Sequence, residues 1–215
     1  MLRTPISGMT EAIMVFNFLP ATYTDPSWID APDPWRNRLA RLKAPAARQV
    51  LSEWLLEQHG VADSFDFDFS SIEKALFLQD AGGLQRLAAI VGLLRQRADV
   101  RKMAAGGVLP RLASELGNDS LGWVLARLPE ADFLPPSAYG IDYDEKALMP
   151  QFAACGIPCL LGLVMPQSHA VAVRARLKFP RHLLYQPAIV FSQEAREAFI
   201  AYLKAHVFKE GASWE

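Results

Sequence analysis

At 215 residues, with 51% hydrophobic and 21% charged side chains, the chain is long enough to bury a sizeable core and too apolar to stay unfolded. A formal net charge of -1 excludes the broad cationic surface that draws proteins to nucleic acid or anionic lipid. The longest apolar run, Ile157 to Met165, contains Pro158 and is far short of the ~20 residues of a membrane span; the first residues lack the pattern of a secretory signal, so a cytosolic protein is expected.

The opening segment, Val15 to Ile29, leads through Pro26, Pro32 and Pro34 with Trp28 and Trp35 close by. Proline fixes φ and removes a donor, so this arm is predicted to run extended with tight turns, its rings placed by packing on its own domain or on a partner. Ala46 to Gln58 has the spacing of a helix, with Val50, Leu51, Trp54 and Leu55 on one face and Gly60 as the stop. Phe65-Asp66-Phe67-Asp68-Phe69 alternates strictly, aromatic residues on one side and carboxylates on the other, which predicts a short extended piece with one buried face. The same stretch fails as a calcium loop, having Ser71 where glycine and Phe77 where glutamate are needed.

Ser70 or Ser71 begins a helix to about Gln79, which Gly82-Gly83 is expected to break; Leu84 to Arg97 follows as an apolar central helix. A short helix is expected from Asp99 toward Ala105, ended by Gly106-Gly107, and another with Pro110 in its first turn runs to Leu116. Asn118 or Asp119 caps a helix through Leu128, and Phe133 to Gly140 is a loop by composition. Asp142 or Asp144 starts the C-terminal part, with helices over Glu145–Gly156 and Pro158–Val164 separated at the proline. Val171 to Phe179 is compatible with a strand or with a helix from Ser168, and Tyr185 to Phe191 is β-prone. Ser192 caps the last helix, whose stripe is Ala195, Phe199, Tyr202, Leu203 and His206. The fold class expected is mainly α: one compact helical domain over 1–215, with room for a few short strands and a C-terminal subdomain jointed near 133–144.

Chemistry-bearing motifs are not apparent. The two cysteines, Cys155 and Cys159, lack further ligands nearby and are expected to be buried thiols, with no dependence on metal or disulfide. His59, His169, His182 and His206 are dispersed, no nucleophile elbow or phosphate loop occurs, and Asp142 with Asp144 has the look of a solvated cap. No catalytic residue and no cofactor is predicted. The basic cluster Arg95, Arg97, Arg101 and Lys102 is either the solvated end of a helix or a dock for an acidic surface.

Three stretches together resemble the SctK family (YscK/PscK-like), cytosolic accessory proteins of bacterial type III secretion sorting platforms. They are Phe16 to Tyr23 with Pro26 and Trp28, Leu84 to Leu116, and Gly156 to Pro180. The resemblance implies a helical, non-enzymatic adaptor at the cytosolic face of the inner membrane. Its partners would be the cytosolic domain of the inner-membrane ring (SctD-like) and the pod protein (SctQ-like), with no nucleic acid and no membrane insertion. From surface chemistry, Trp28, Trp35, Arg97, Arg101 and Lys102 are the candidate partner-binding residues. The rival expectation is a helical small-molecule-binding domain or enzyme with a pocket between the two halves.

Overall fold

Two apolar helices too densely hydrophobic to tolerate water on any face form the centre of the molecule. The computed structural model describes residues 6–30, 44–99, 103, 107–127, 130–145 and 147–206. Its α-helices are α1 (Ile6–Phe18), α2 (Pro45–Gln58), α3 (Ile72–Ala75), α4 (Ala81–Arg95), α5 (Val108–Leu116), α6 (Asn118–Arg127), α7 (Met149–Val164), α8 (His169–Leu177) and α9 (Gln193–His206). Short 3-10 turns lie at Pro20–Thr22, Pro26–Trp28, Leu76–Leu78, Arg97–Asp99 and Arg181–Leu183. Among the described residues there is no strand, so the fold is mainly α as expected and Tyr185 to Phe191 is an irregular, extended connection.

The central helices are α4 and α7, buried from Ala88 to Arg95 and from Phe152 to Val164 respectively. They meet backbone to backbone. A Cβ added at Gly92 would lie 1.8 Å from the carbonyl oxygen of Phe152, and one at Gly156 would lie 1.8 Å from that of Ala88. Glycine is required there because any side chain would occupy the other helix's main chain. Two sequence expectations are corrected in this region. Gly82-Gly83 does not stop a helix but sits in the first turn of α4, where the Asp80 carboxylate accepts from Gly83 N at 2.8 Å. Pro158 does not divide α7, which runs unbroken from Met149 to Val164. The proline withholds the N–H that Ala154 O would accept. Neighbouring carbonyls find outside donors, Arg95 Nη1 on Cys155 O and Ile189 N on Pro158 O at 2.9 Å.

α7 also starts four residues later than expected. Its first N–H groups are capped by a carboxylate from α5: Glu115 accepts from Leu148 N at 3.2 Å and from Met149 N at 2.9 Å. Asp142 instead closes a local turn, its main chain held by the Gln151 amide at 2.8 and 2.9 Å. Ser192 and Ser168 cap α9 and α8 through Ala195 N and Val171 N, resolving Val171 to Phe179 as helical up to Leu177. Phe199, Tyr202 and Leu203 are buried as the stripe requires. The expected helix from Asp99 toward Ala105 falls largely outside the described residues, as does the His206 side chain.

The opening segment is helical up to Phe18, which corrects the extended reading of Val15 to Phe18; Pro20 and Pro26 each open a turn, and Pro32 and Pro34 lie outside the described residues. The arm then closes on the far end of the chain. Asp25 N donates to Leu177 O at 2.8 Å, Trp28 Nε1 to Phe179 O at 2.8 Å, and Arg181 N to Ser27 Oγ at 2.8 Å. The first two bonds satisfy orphan carbonyls at and beyond the C-terminus of α8, and the third satisfies the Arg181 N–H.

Candidate interaction site

Polar side chains in the interior are concentrated where the chain's distant parts are tied together. On α8, residues 171, 174, 175 and 178 share one face by helical spacing. Val171 and Ala175 are apolar, but Arg174 and Lys178 are cations, exposed by only 0% and 3%. Arg174 donates to Asn17 O at 3.2 Å, Val61 O at 3.1 Å, Ser64 O at 2.8 Å and Ala170 O at 3.3 Å, and its guanidinium lies 5.6 Å from the Phe65 ring. One planar fork thus collects carbonyls from α1, from the 61–64 turn and from its own helix. Burial holds its pKa below the ordinary arginine value.

Lys178 Nζ donates to Gln79 O at 2.5 Å and faces two rings, Tyr23 at 4.7 Å and Phe16 at 5.4 Å. Tyr23 OH donates to Phe16 O at 2.7 Å, and burial raises its pKa. Burial pushes the Lys178 pKa down to about 8, with the Asp80 carboxylate pulling the other way. The sign of the consequence is definite. Below about pH 8 the ammonium is charged whether the chain is folded or not, and its burial cost is present in full. Between there and its unfolded value of 10.5 the folded chain sheds a proton that the unfolded chain keeps, so stability rises with pH. Urea unfolding at about pH 7.5 and about pH 9.5 is expected to show wild type gaining up to about 2 kcal/mol relative to Lys178→Met. Subtracting the variant removes the opposite trend from Cys155 and Cys159, whose thiols burial pushes up. A constant difference between the two proteins would show that Lys178 keeps its proton.

At the end of α4, three consecutive residues clamp the loop that follows α6. Arg95, 6% exposed, donates from Nε to Pro135 O at 2.9 Å and from Nη2 to Pro136 O at 3.3 Å, besides Cys155 O. Gln96 Nε2 reaches Tyr139 O at 2.6 Å, and Arg97 Nη1 reaches Leu134 O at 3.0 Å while its Nε pairs with Asp132 at 3.3 Å. The basic cluster is therefore divided. Arg95 is an interior residue, and not the solvated end of a helix; Arg97 is partly exposed and already paired; Arg101 and Lys102 lie outside the described residues. Trp28 is half-buried, with its N–H bonded as above, His59 edge-on at 5.2 Å and the Arg181 guanidinium 5.6 Å from the ring. Trp35 lies outside the described residues.

Cys155 and Cys159 are free and fully buried. Among the described residues no group of three or more His, Cys, Asp or Glu side chains is placed to hold a metal, and no helix is long and apolar enough to cross a membrane.

Bonds from Asn17 in α1 and from the arm at Asp25 and Trp28 to α8 and the residues just after it tie distant parts of the described chain together. A family model described as YOP proteins translocation protein K (YscK) matches residues 12–212, from within α1 to beyond α9. The chain belongs to the YscK family. It is accordingly a protein of type III secretion, as the SctK resemblance implied. No curated protein and no solved structure shows significant similarity to it.

In this YscK-family chain, sequence reasoning passed over Arg174 and Lys178 as part of an apolar/basic alternation. The available signal was their i, i+3 spacing from Val171 and Ala175, which embeds two cations in the buried stripe if the segment is helical and leaves Arg176 exposed.

Proposed function

We propose that this chain is a non-enzymatic cytosolic adaptor of a type III secretion sorting platform, linking the cytosolic domain of the inner-membrane ring (SctD-like) to the pod protein (SctQ-like). The observation that carries this reading is the family match over residues 12–212. The interior is consistent with it: Arg95, Arg174 and Lys178 spend their donors on main-chain carbonyls, which is the work of staples.

Trp35, Arg101 and Lys102 remain the interface residues proposed from surface chemistry. Trp28 and Arg97 are proposed with them, although each has part of its bonding capacity committed inside the fold. Surface plasmon resonance with the purified pod protein and ring domain is the test. Wild type is expected to bind, and Arg101→Glu with Lys102→Glu is expected to slow association severalfold at low salt, with convergence as salt rises. Absence of wild-type binding to either protein sinks the adaptor reading. Equal association rates across the salt series remove the basic pair from the interface.

A further inference from the structure

The Phe65–Phe69 alternation is turned partly inside out. Asp66 faces inward: its carboxylate pairs with Lys74 at 2.9 Å, its N–H donates to Asn17 Oδ1 at 3.2 Å, and its carbonyl accepts from Asn17 Nδ2 at 2.7 Å. Asn17 is wholly buried, so this pairing fixes the segment's orientation against the end of α1. Phe69 goes to the core, but Phe65 and Phe67 are left 40% and 54% exposed, so the aromatic side does not form one buried face.

These two rings join Phe18, 37% exposed, in one cluster. Ring centroids are 4.7 Å apart for Phe18–Phe65, 6.1 Å for Phe18–Phe67 and 6.3 Å for Phe65–Phe67. Met14, one turn before Phe18 and 46% exposed, extends the apolar surface along α1. A groove of about 230 Å³ opens beside the rings, with Phe18, Leu19, Leu56 and Phe65 among its lining and Glu53 and Glu57 on its α2 side. The patch is held from below by Asn17 and by Arg174 beneath Phe65, so its shape is set before any partner arrives.

Among the described residues of these segments, the exposed charged side chains are all carboxylates. Glu11 stands one turn from Met14 on α1, Glu53 and Glu57 border the groove, and Asp63 and Asp68 flank the phenylalanines. Lys74 is only 9% exposed and is already held by Asp66 and, at 4.0 Å, Asp68. On α2 the one cation, Arg48, is half-buried.

We propose that the Phe18–Phe65–Phe67 patch docks an amphipathic segment of a partner protein that carries lysine or arginine beside its apolar side chains. Aromatic anchors supply the contact area, and the carboxylate rim selects cationic neighbours. The same rim repels an anionic membrane. A partner of this chemistry is called for whether or not the pod or ring protein supplies it.

The probe is an end-labelled Leu/Lys amphipathic peptide of about four turns, compared with its Leu/Glu counterpart by fluorescence anisotropy on the full chain. The Leu/Lys peptide is expected to bind, and the Leu/Glu peptide is not. Phe67→Ser is expected to weaken binding about tenfold or more, and Glu53→Gln with Glu57→Gln severalfold, as does added salt. Because Phe67 is exposed, its variant is expected to keep the wild-type circular dichroism and melting temperature. No binding, equal binding of both peptides, or binding unchanged in Phe67→Ser overturns the proposal. So does sedimentation in which wild type self-associates and Phe67→Ser does not, because the occupant is then a second copy.

Discussion

Gly156→Ala is expected to be among the most damaging single-methyl changes in this chain. The new Cβ would stand 1.8 Å from Ala88 O and 2.7 Å from Ala88 C, inside the main chain of α4. No rotamer relieves a main-chain clash, so α4 and α7 must separate by more than an ångström along faces that are otherwise fully buried. Ordinary overpacking costs ~1–3 kcal/mol, and this case should exceed that range. With total stabilities of ~5–15 kcal/mol, the expected result is insoluble protein or a broad, low-temperature melt. Gly122→Ala in α6 is the control. It adds the same methyl to a helix but meets nothing within 4 Å, so stability should rise by about 0.5–1 kcal/mol. Differential scanning calorimetry of both proteins decides the matter. Similar melts for Gly156→Ala and wild type would show that the helices do not cross this closely.

Arg174→Met is the second large effect. Methionine fills much of the same space, so the loss is one of donors. Asn17 O, Val61 O and Ser64 O would each forfeit a hydrogen bond, the first two in the interior. An unsatisfied buried group costs ~1–3 kcal/mol, partly offset by no longer stripping water from a cation. A net loss of about 3 kcal/mol lowers the melting temperature of a chain this size by about 6–12 °C. The loss should also be local. Amide exchange is expected to accelerate in α1 and around residues 61–66 while α4 and α7 keep their protection. Arg174→Lys should rescue little, because a point charge cannot serve carbonyls in three directions. Uniform acceleration across all helices would argue against a local staple.

The helices were legible where caps and periodicity agreed, as at Ser192 with Phe199, Tyr202 and Leu203, or Pro110 with Leu112 and Leu116. The failures share a cause. Gly82-Gly83 and Pro158 are helix breakers by local preference, but their penalties are offset by a cap just upstream in the first case and by contacts from far along the chain in the second. Asp80 caps the former, and Arg95 and Ile189 donate to carbonyls beside the latter. Phe65 and Phe67 were read from period two alone, which assigns faces but not which face is wet. Asn17, 49 residues before Asp66, decides that by pairing with its main chain. Family membership was legible as a diffuse apolar likeness. The partner-binding residues were not, since surface aromatics and charges carry no periodicity to distinguish docking from solvation.

The bonds from Asp25, Trp28 and Asn17 to α8 and just beyond have a consequence for how the protein is made. Trp28 and Phe179 are 151 residues apart. At ~5–20 residues per second, α1 and the arm after it wait roughly 8–30 s from their own synthesis for the segment that completes them. During that interval Phe16 and Asn17, both buried at the end, have no permanent place. α1 and the arm at Asp25 and Trp28 are therefore among the last parts to be finished, and a nascent chain halted before α8 is expected to be a client for chaperones.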